Sequence, residues 1–307
     1  MALLDKAIVR LLPAVPRPVV QRLSTRYIAG SELEDACRVV KRLNGEGKIA
    51  TIDVLGEEIT NAREADAIGR EYQRVFETIG EQALDSNVSV KLTGLGLKLG
   101  YELCRDNLER VVVHAAERGN FVRIDMEDAS TTDDTLRMYR ELRERGHENL
   151  GVVLQASLRR TVDDVWDLAD LKPSVRLCKG IYVESPAIQY RDYGAVRRSF
   201  LRSLEALWET EAYVGVATHD DFLVHEACRL AEERGLDRYR DYEFQMLLGV
   251  RAQMGDVLVR NGHRLRIYVP YGQHWYRYSL RRLQENPKIA GYIAADTVKG
   301  LLGANGR

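Results

Sequence analysis

KIATIDVL (48–55) is a short β-rich run; a helical pattern follows it across 61–84, and NVSVKL (87–92) then forms a second β-rich run. The alternation continues through FVRIDM (121–126), GVVLQA (151–156), SVRLCK (174–179), YVGVAT (213–218), YEFQML (242–247) and LRIYVP (265–270). Helical patterns follow these runs at 101–118, 132–145, 161–171, 190–210, 220–234, 248–260 and 274–286. Alternation of this kind predicts parallel strands joined by crossover helices. Eight units at roughly 30-residue intervals fit a closed (βα)8, TIM-like barrel better than an open doubly wound sheet. No sequence repeat accompanies the units, so the count is of elements alone.

Helix punctuation supports these divisions. Thr60 and Ser130 stand at expected helix starts, and Gly119, Gly146, Gly235 and Gly262 follow helical runs. Residues 1–47 precede the first strand and read as an extension of two or three helices, with Asn44–Gly47 at the junction. Residues 48–307 read as one barrel domain, its last helix placed over the barrel mouth.

Composition narrows the function classes. A chain of 307 residues with 45% hydrophobic and 30% charged content has enough apolar material for one large α/β barrel core. Its net charge of −1 provides no global field for nucleic acid or an anionic membrane. Cys37, Cys104, Cys178 and Cys228 are scattered, without metal-type spacing, and read as reduced thiols of a cytoplasmic protein. The N-terminal segment is interrupted by Asp5, Lys6, Arg10 and prolines, so it reads as neither a signal peptide nor a membrane span.

In a barrel, chemistry belongs to the carboxyl ends of the strands and the loops beyond them. Polar residues gather there: Lys91, Asp125, Gln155, Arg176, Lys179, Thr218, His219, Gln245 and Tyr268. Tyr278, Arg281, Arg282 and Glu285 follow at i, i+3, i+4, i+7, which puts them on one helix face. Two guanidiniums about 5 Å apart repel by roughly 3 kcal/mol at an effective dielectric near 20. A carboxylate ligand relieves that repulsion, and planar guanidinium forks suit carboxylates. A solvated helix face with an i,i+4 ion pair is the plain alternative. The glycines of GLGLKLG (94–100) miss the dinucleotide-binding spacing by one residue. The six histidines form no metal-binding pattern and there is no GxSxG elbow, which argues against a metal site and nucleophilic hydrolysis.

Together these segments resemble the proline dehydrogenase family of flavin-dependent enzymes. The resemblance runs through DVLGE (53–57), SVKLT (89–93), RIDMED (123–128), VVLQA (152–156), VRLCKGIY (175–182), ATHD (217–220), EFQMLLG (243–249), RIYVPYG (266–272) and YSLRRLQE (278–285). The pairing of YxxRRxxE after strand eight with RLxKGxY after strand five is the specific part. The length, with no aldehyde-dehydrogenase-like region, resembles the monofunctional bacterial form. Two departures stand out: Asp220 where the family often has Asn, and Ile181 where it often has a small residue.

The resemblance implies an FAD-dependent oxidation of L-proline to 1-pyrroline-5-carboxylate, with hydride passing from C5 to the flavin N5. It assigns Arg281, Arg282 and Lys91 to the substrate carboxylate, and Tyr278, Leu247 and Tyr182 to the walls around the ring. Asp125 is expected to hold Lys91 or an arginine, Tyr268 to support that clamp, Glu285 to orient Arg282 or the substrate amine, and Glu57 to pair with Arg281 as a gate. Flavin contacts fall to Arg176 and Leu177, to Gln155 at the pyrimidine edge, to Lys179 and Gly180 at the pyrophosphate, and to Ala217, Thr218 and His219 toward the adenosine. The family also implies a membrane quinone as acceptor, peripheral contact at the inner face of the membrane, and a separate pyrroline-5-carboxylate dehydrogenase. Ile289, Ile293, Val298, Leu301 and Leu302 form a stripe for that contact, which helix packing explains equally well.

Two rivals share these residues: a Schiff-base-forming barrel lyase with Lys91 or Lys179 as nucleophile, and a non-redox amino-acid-binding barrel.

Overall fold

The computed structural model describes residues 26–56, 59–276 and 278–279. Each β-rich run forms a strand: β1 Ile49–Val54, β2 Ser86–Val90, β3 Val122–Ile124, β4 Leu150–Gln155, β5 Ser174–Cys178, β6 Tyr213–Ala217, β7 Tyr242–Leu247 and β8 Leu265–Tyr271. Every neighbouring pair is parallel, β8 pairs with β1, and the sheet closes into an eight-stranded barrel in sequence order. Eight helices lie among the described residues: α1 Leu33–Gly45, α2 Ala62–Glu81, α3 Tyr101–Ala116, α4 Thr132–Glu144, α5 Thr161–Asp167, α6 Tyr193–Glu209, α7 Asp221–Glu233 and α8 Ala252–Arg260. Trp275, Tyr276, Tyr278 and Ser279 begin the helix expected after β8.

The strand sequences sort two surfaces by their period of two. Outward positions such as Val88, Val90, Val122, Ile124, Val175, Leu177, Val214 and Val216 are fully buried beneath the helices. Each helix covers them with one apolar face; on α2 that face is Ala65, Tyr72, Val75, Phe76 and Ile79. Helix α1 contributes Leu33, Ala36, Cys37, Val40 and Leu43 to the same core and packs beside β1 and β8. At about 1.5–3 kcal/mol per buried large apolar side chain, that face ties α1 to the barrel.

Inward positions are unusually polar. Thr51, Asp53, Ser89, Arg123, Arg176, Glu243, Gln245 and Arg266 are buried, where barrels ordinarily stack branched apolar residues. Two glycines make room for these long side chains. A Cβ on Gly151 would stand 2.3 Å from an Arg123 nitrogen, and one on Gly215 would stand 2.3 Å from Gln245 Nε2. Arg123, which forms no ion pair with a carboxylate among the described residues, donates to the Val152 carbonyl at 3.0 Å and to Ser174 Oγ at 2.8 Å. Burial pulls its guanidinium down to about 9.

Gly119, Gly146, Gly235 and Gly262 follow their helices with φ of +61°, +94°, +67° and +77°, as their positions predicted. The expected helix starts need correction. Asn61 caps α2 by accepting from the Arg63 and Glu64 amides, one residue beyond Thr60. Ser130 lies inside a 3-10 turn, Ala129–Thr131, capped by Asp128. In both cases a neighbouring Asx side chain reaches the free amides better than the hydroxyl. Glu57, Arg281, Arg282, Glu285 and the apolar stripe from Ile289 to Leu302 lie outside the described residues.

Candidate active site

Because all eight strands run parallel, their carboxyl ends share one rim. Lys91 and Asp125 stand one residue beyond β2 and β3, Gln155 ends β4, and Lys179 and Gly180 follow β5. With Arg176, Tyr182, Ala217, Thr218, His219, Leu247, Tyr268 and Tyr278 they line one cavity of about 650 Å3. That volume falls within the ~300–1,000 Å3 range of small-molecule and cofactor pockets. Thirteen of the expected site residues therefore meet in one place.

Leu177 is the exception among those described. It sits between Arg176 and Cys178, whose side chains line the cavity, and so points the other way, fully buried in the apolar layer beneath the helices. Its side chain is packing, and the expectation that it meets the cofactor is corrected to that extent.

The floor of the cavity is a connected polar network. Lys91 Nζ lies 2.6 Å from Asp53 Oδ1 and 3.3 Å from the Tyr268 hydroxyl, to which it donates. Tyr268 in turn donates to Asp125 Oδ2 at 2.7 Å. The other Asp125 oxygen accepts from Arg176 Nη1 at 2.6 Å, and Arg176 Nε donates to Gln245 Oε1. Lys91 and Asp125 are 3.9 Å apart, so the acid holds Arg176 by direct contact and the lysine chiefly through the phenol. Burial, reinforced by the Asp125 and Asp53 charges, raises the Tyr268 phenol well above its usual range. It therefore stays protonated and works as a fixed donor.

A second polar set lies at the ends of β4 and β5. Gln155 Nε2 donates to the Glu127 carbonyl at 2.7 Å. Glu127 is pinned by the Thr93 amide at 3.0 Å and the Thr93 hydroxyl at 2.5 Å. Gly180 has φ of +93°, and a Cβ there would stand 2.4 Å from Ser157 Oγ and 2.8 Å from Gln155 Oε1. Only glycine brings the backbone this close to the Gln155 amide. His219 Nε2 accepts the Leu247 amide at 2.9 Å, which ties the loop after β6 to the end of β7.

Asp220 is the anchor of a cationic cluster on the same rim. Its buried carboxylate accepts from Arg197 Nε at 2.9 Å, from Arg197 Nη2 at 2.5 Å and from the Tyr193 hydroxyl at 2.5 Å, with Lys179 Nζ at 3.4 Å. It also caps α7 through the Phe222 amide at 3.2 Å. Burial alone would raise this carboxyl, but the Arg197 and Tyr193 hydrogen bonds and the Lys179 and Arg197 charges outweigh it and hold it well below the carboxylate range. A depressed folded pKa contributes stability that is present above the unfolded value near 3.9 and lost as pH falls through the folded one. Asp220→Asn should thus lower the melting temperature at pH 7, by a loss of about 1.5–3 kcal/mol per charged hydrogen bond removed. The gap to the wild type should close below about pH 4 in thermal melts recorded against pH.

Sequence reasoning assigned no role to Asp53, Glu127, Arg197 or Tyr27, which all belong to this site or directly support it. Asp53 and Glu127 carried a readable signal, each being an acid within a quoted strand-end segment. Tyr27 and Arg197 lie outside those segments and carried none.

A sequence model described as Proline dehydrogenase matches residues 36–294. The chain belongs to the proline dehydrogenase family. Proline dehydrogenase 1 of Bacillus subtilis (strain 168) is 38% identical over 277 residues, covering 90% of this chain and 90% of its own. Proline dehydrogenase of Deinococcus radiodurans is 33% identical over 288 residues, covering 92% and 93%. Among solved structures, proline utilization A from Bdellovibrio bacteriovorus superposes with a TM-score of 0.82 at 25% identity, covering 87% of this chain and 33% of that one. The chain thus spans about a third of that longer protein. Proline utilization A from Corynebacterium freiburgense, with a TM-score of 0.75 and 23% identity, shares the fold. Membership makes this chain an enzyme that oxidises proline, which sets aside the lyase and the non-redox binding barrel. Among the described residues, no group of three or more His, Cys, Asp and Glu could hold a metal ion, and no helix is long and apolar enough to cross a membrane.

Proposed function

We propose that the cavity holds FAD together with L-proline and that the product is 1-pyrroline-5-carboxylate. The observation that carries this reading is the adjacency, in one cavity, of the Asp53–Lys91–Tyr268–Asp125–Arg176 network and the Gln155–Lys179–Gly180 wall. The donor set fits an isoalloxazine and its pyrophosphate. Gln155 presents an amide beside a backbone that no Cβ obstructs, Lys179 and Arg197 concentrate positive charge at the rim, and Arg176 is fixed from two sides. When bound, FAD supplies at its N5 the acceptor for the hydride that leaves proline C5.

The protein's own work is orientation. Lys91 meets the proline carboxylate, in company with Arg281 and Arg282, and fixing that end aims C5 across the cavity. Tyr268 and Asp53 hold the lysine, and Asp125 holds Arg176 at the cofactor face. Leu247, Tyr182 and Tyr278 enclose the ring, and the crowding by Tyr278 disfavours a 4-hydroxylated substrate. The cofactor's adenosine end runs toward Thr218 and His219, where Asp220 acts through Arg197 and Lys179. Glu285 and Glu57 orient and gate the arginine pair. A membrane quinone takes the electrons onward during peripheral contact at the inner membrane face, and a separate dehydrogenase receives the pyrroline-5-carboxylate.

The purified protein should be yellow and should bleach anaerobically on addition of L-proline. A colourless protein that takes up no added FAD would overturn the reading. Arg176→Ala should lower flavin content or shift the flavin potential, while Arg281→Met and Arg282→Met should raise KM for proline with flavin retained. The same defect from both kinds of change would refute the division of roles.

A further inference from the structure

Residues 26–30 precede α1, yet they lie at the barrel mouth. The Ala29 amide donates to the Pro270 carbonyl at 2.9 Å, and the Gly272 amide donates to the Gly30 carbonyl at 3.1 Å. These two bonds lay the segment along the carboxyl end of β8. On its other side it meets the loop after β7, where Gly249 has φ of +72° and a Cβ would stand 1.9 Å from the Arg26 carbonyl oxygen. Three parts of the chain distant in sequence therefore close on one another, and the side chain at their junction is Tyr27.

Tyr27 is 4% exposed and lines the cavity alongside Leu247, Val250, Tyr268 and Tyr278. It forms a small apolar cluster of its own, apart from the barrel core, with Ile28, Leu55 and Tyr278, against which Val250, Tyr268 and Trp275 pack. An aromatic ring buries some 150–250 Å2 and has only two side-chain torsions, so it makes a stiff wall at low entropic cost. Tyr278 arrives on the helical residues after β8 and Leu247 on β7, and Tyr27 belongs to the cluster that holds Tyr278, against which Trp275 packs.

We propose that Tyr27 is a positioning and specificity-determining residue, a wall of the proline-ring pocket that sets the seat of Tyr278. The assignment rests on the reading that proline occupies this cavity. The N-terminal segment then forms part of the substrate site, and the size of ring accepted depends on it. A missing wall leaves space for an extra methylene, and one methylene in a hydrophobic pocket is ordinarily worth 10–200-fold in discrimination.

The test compares L-proline with its six-membered homologue L-pipecolate, by anaerobic bleaching and steady-state kinetics, in the wild type and in Tyr27→Ala, Tyr27→Leu and Tyr27→Phe. Tyr27→Ala should raise KM for proline about tenfold while kcat changes less than threefold, with flavin content retained. Its pipecolate-to-proline ratio of kcat/KM should rise at least fivefold. Tyr27→Leu, which refills part of the space and protects the fold, should move both quantities the same way by less, and Tyr27→Phe should recover most of the lost affinity. Unchanged KM and substrate ratio in Ala and Leu variants of an active enzyme would overturn the assignment. So would a parallel fall of kcat and flavin content without a change of substrate ratio, the signature of a merely structural residue. A wild-type protein that proline fails to bleach would instead refute the reading of the cavity itself.

Discussion

Replacing Lys91 by methionine should lower kcat/KM for proline by about 100-fold, the larger share in KM, and should also lower the melting temperature. A charge-assisted hydrogen bond contributes about 1.5–3 kcal/mol, equivalent to roughly 10–150-fold in affinity, if Lys91 meets the substrate carboxylate. The stability effect comes from the other side of the same ammonium. Asp53 is fully buried and lies 2.6 Å from Lys91, and Asp125 faces the lysine at 3.9 Å. Removing the cation takes from the buried Asp53 carboxylate its partner at 2.6 Å, while Asp125 keeps Arg176; breaking one partner of such a buried pair costs about 3–5 kcal/mol. The double variant Lys91→Met/Asp53→Asn separates the two effects. It should regain much of the lost stability and none of the lost proline affinity, as read from thermal melts and steady-state kinetics on the same preparations. Recovery of KM in the double variant would show that Lys91 serves only to neutralise Asp53.

Asp53 illustrates which parts of the site were legible in the sequence. The barrel was readable because strand and helix alternate without interruption, and Lys91, Asp125 and Gln155 stood out as polar residues at the ends of otherwise apolar strands. Asp53 was just as visible, but its role depends on lateral register. β1 pairs with β2 so that Asp53 lies opposite Ser89, and Lys91, two residues further on the same inward face, then reaches it. Leu177 shows the converse: a strand offers alternate residues to opposite faces, so its side chain packs outward while those of Arg176 and Cys178 face the cavity. Tyr27 was beyond reach because the partners of its segment, Pro270 for Ala29, Gly249 for Arg26 and Tyr278 for Tyr27 itself, lie more than 200 residues away along the chain, and no local pattern encodes such contacts. Asp220, where the family often has Asn, forms an ion pair with Arg197.

Arg266→Met should destabilise the barrel by about 3–5 kcal/mol at pH 7, and the loss should shrink on acidification. Glu243 is buried and accepts from Arg266 Nε at 2.5 Å and Nη2 at 3.1 Å, from Gln245 at 2.7 Å and from Tyr213 at 2.9 Å, while Arg266 also donates to the Ala50 carbonyl at 2.6 Å. Burial would raise the Glu243 carboxyl, but the Arg266 charge and hydrogen bonds, with Arg264 and Tyr213, bring it below its usual value. In the wild type this pair therefore stabilises the fold above the unfolded carboxyl value near 4.3, and that contribution is lost as pH falls through the folded one. Without Arg266 the burial cost has less to oppose it and the folded pKa rises. The variant then binds a proton on Glu243 more readily when folded, so its deficit narrows as pH drops from 7 toward 4.5. Urea midpoints measured across that interval report the effect, and a deficit independent of pH would mean that the arginine contributes packing and the Ala50 contact alone. The same series should leave the Asp53–Lys91 end of the lumen intact, because four bridging groups, Gln245, Arg176, Asp125 and Tyr268, separate it from Glu243. Both ends of this polar chain thus hold the fold, but proline binding draws on the Lys91 end alone, which is why the two substitutions are expected to differ in kind.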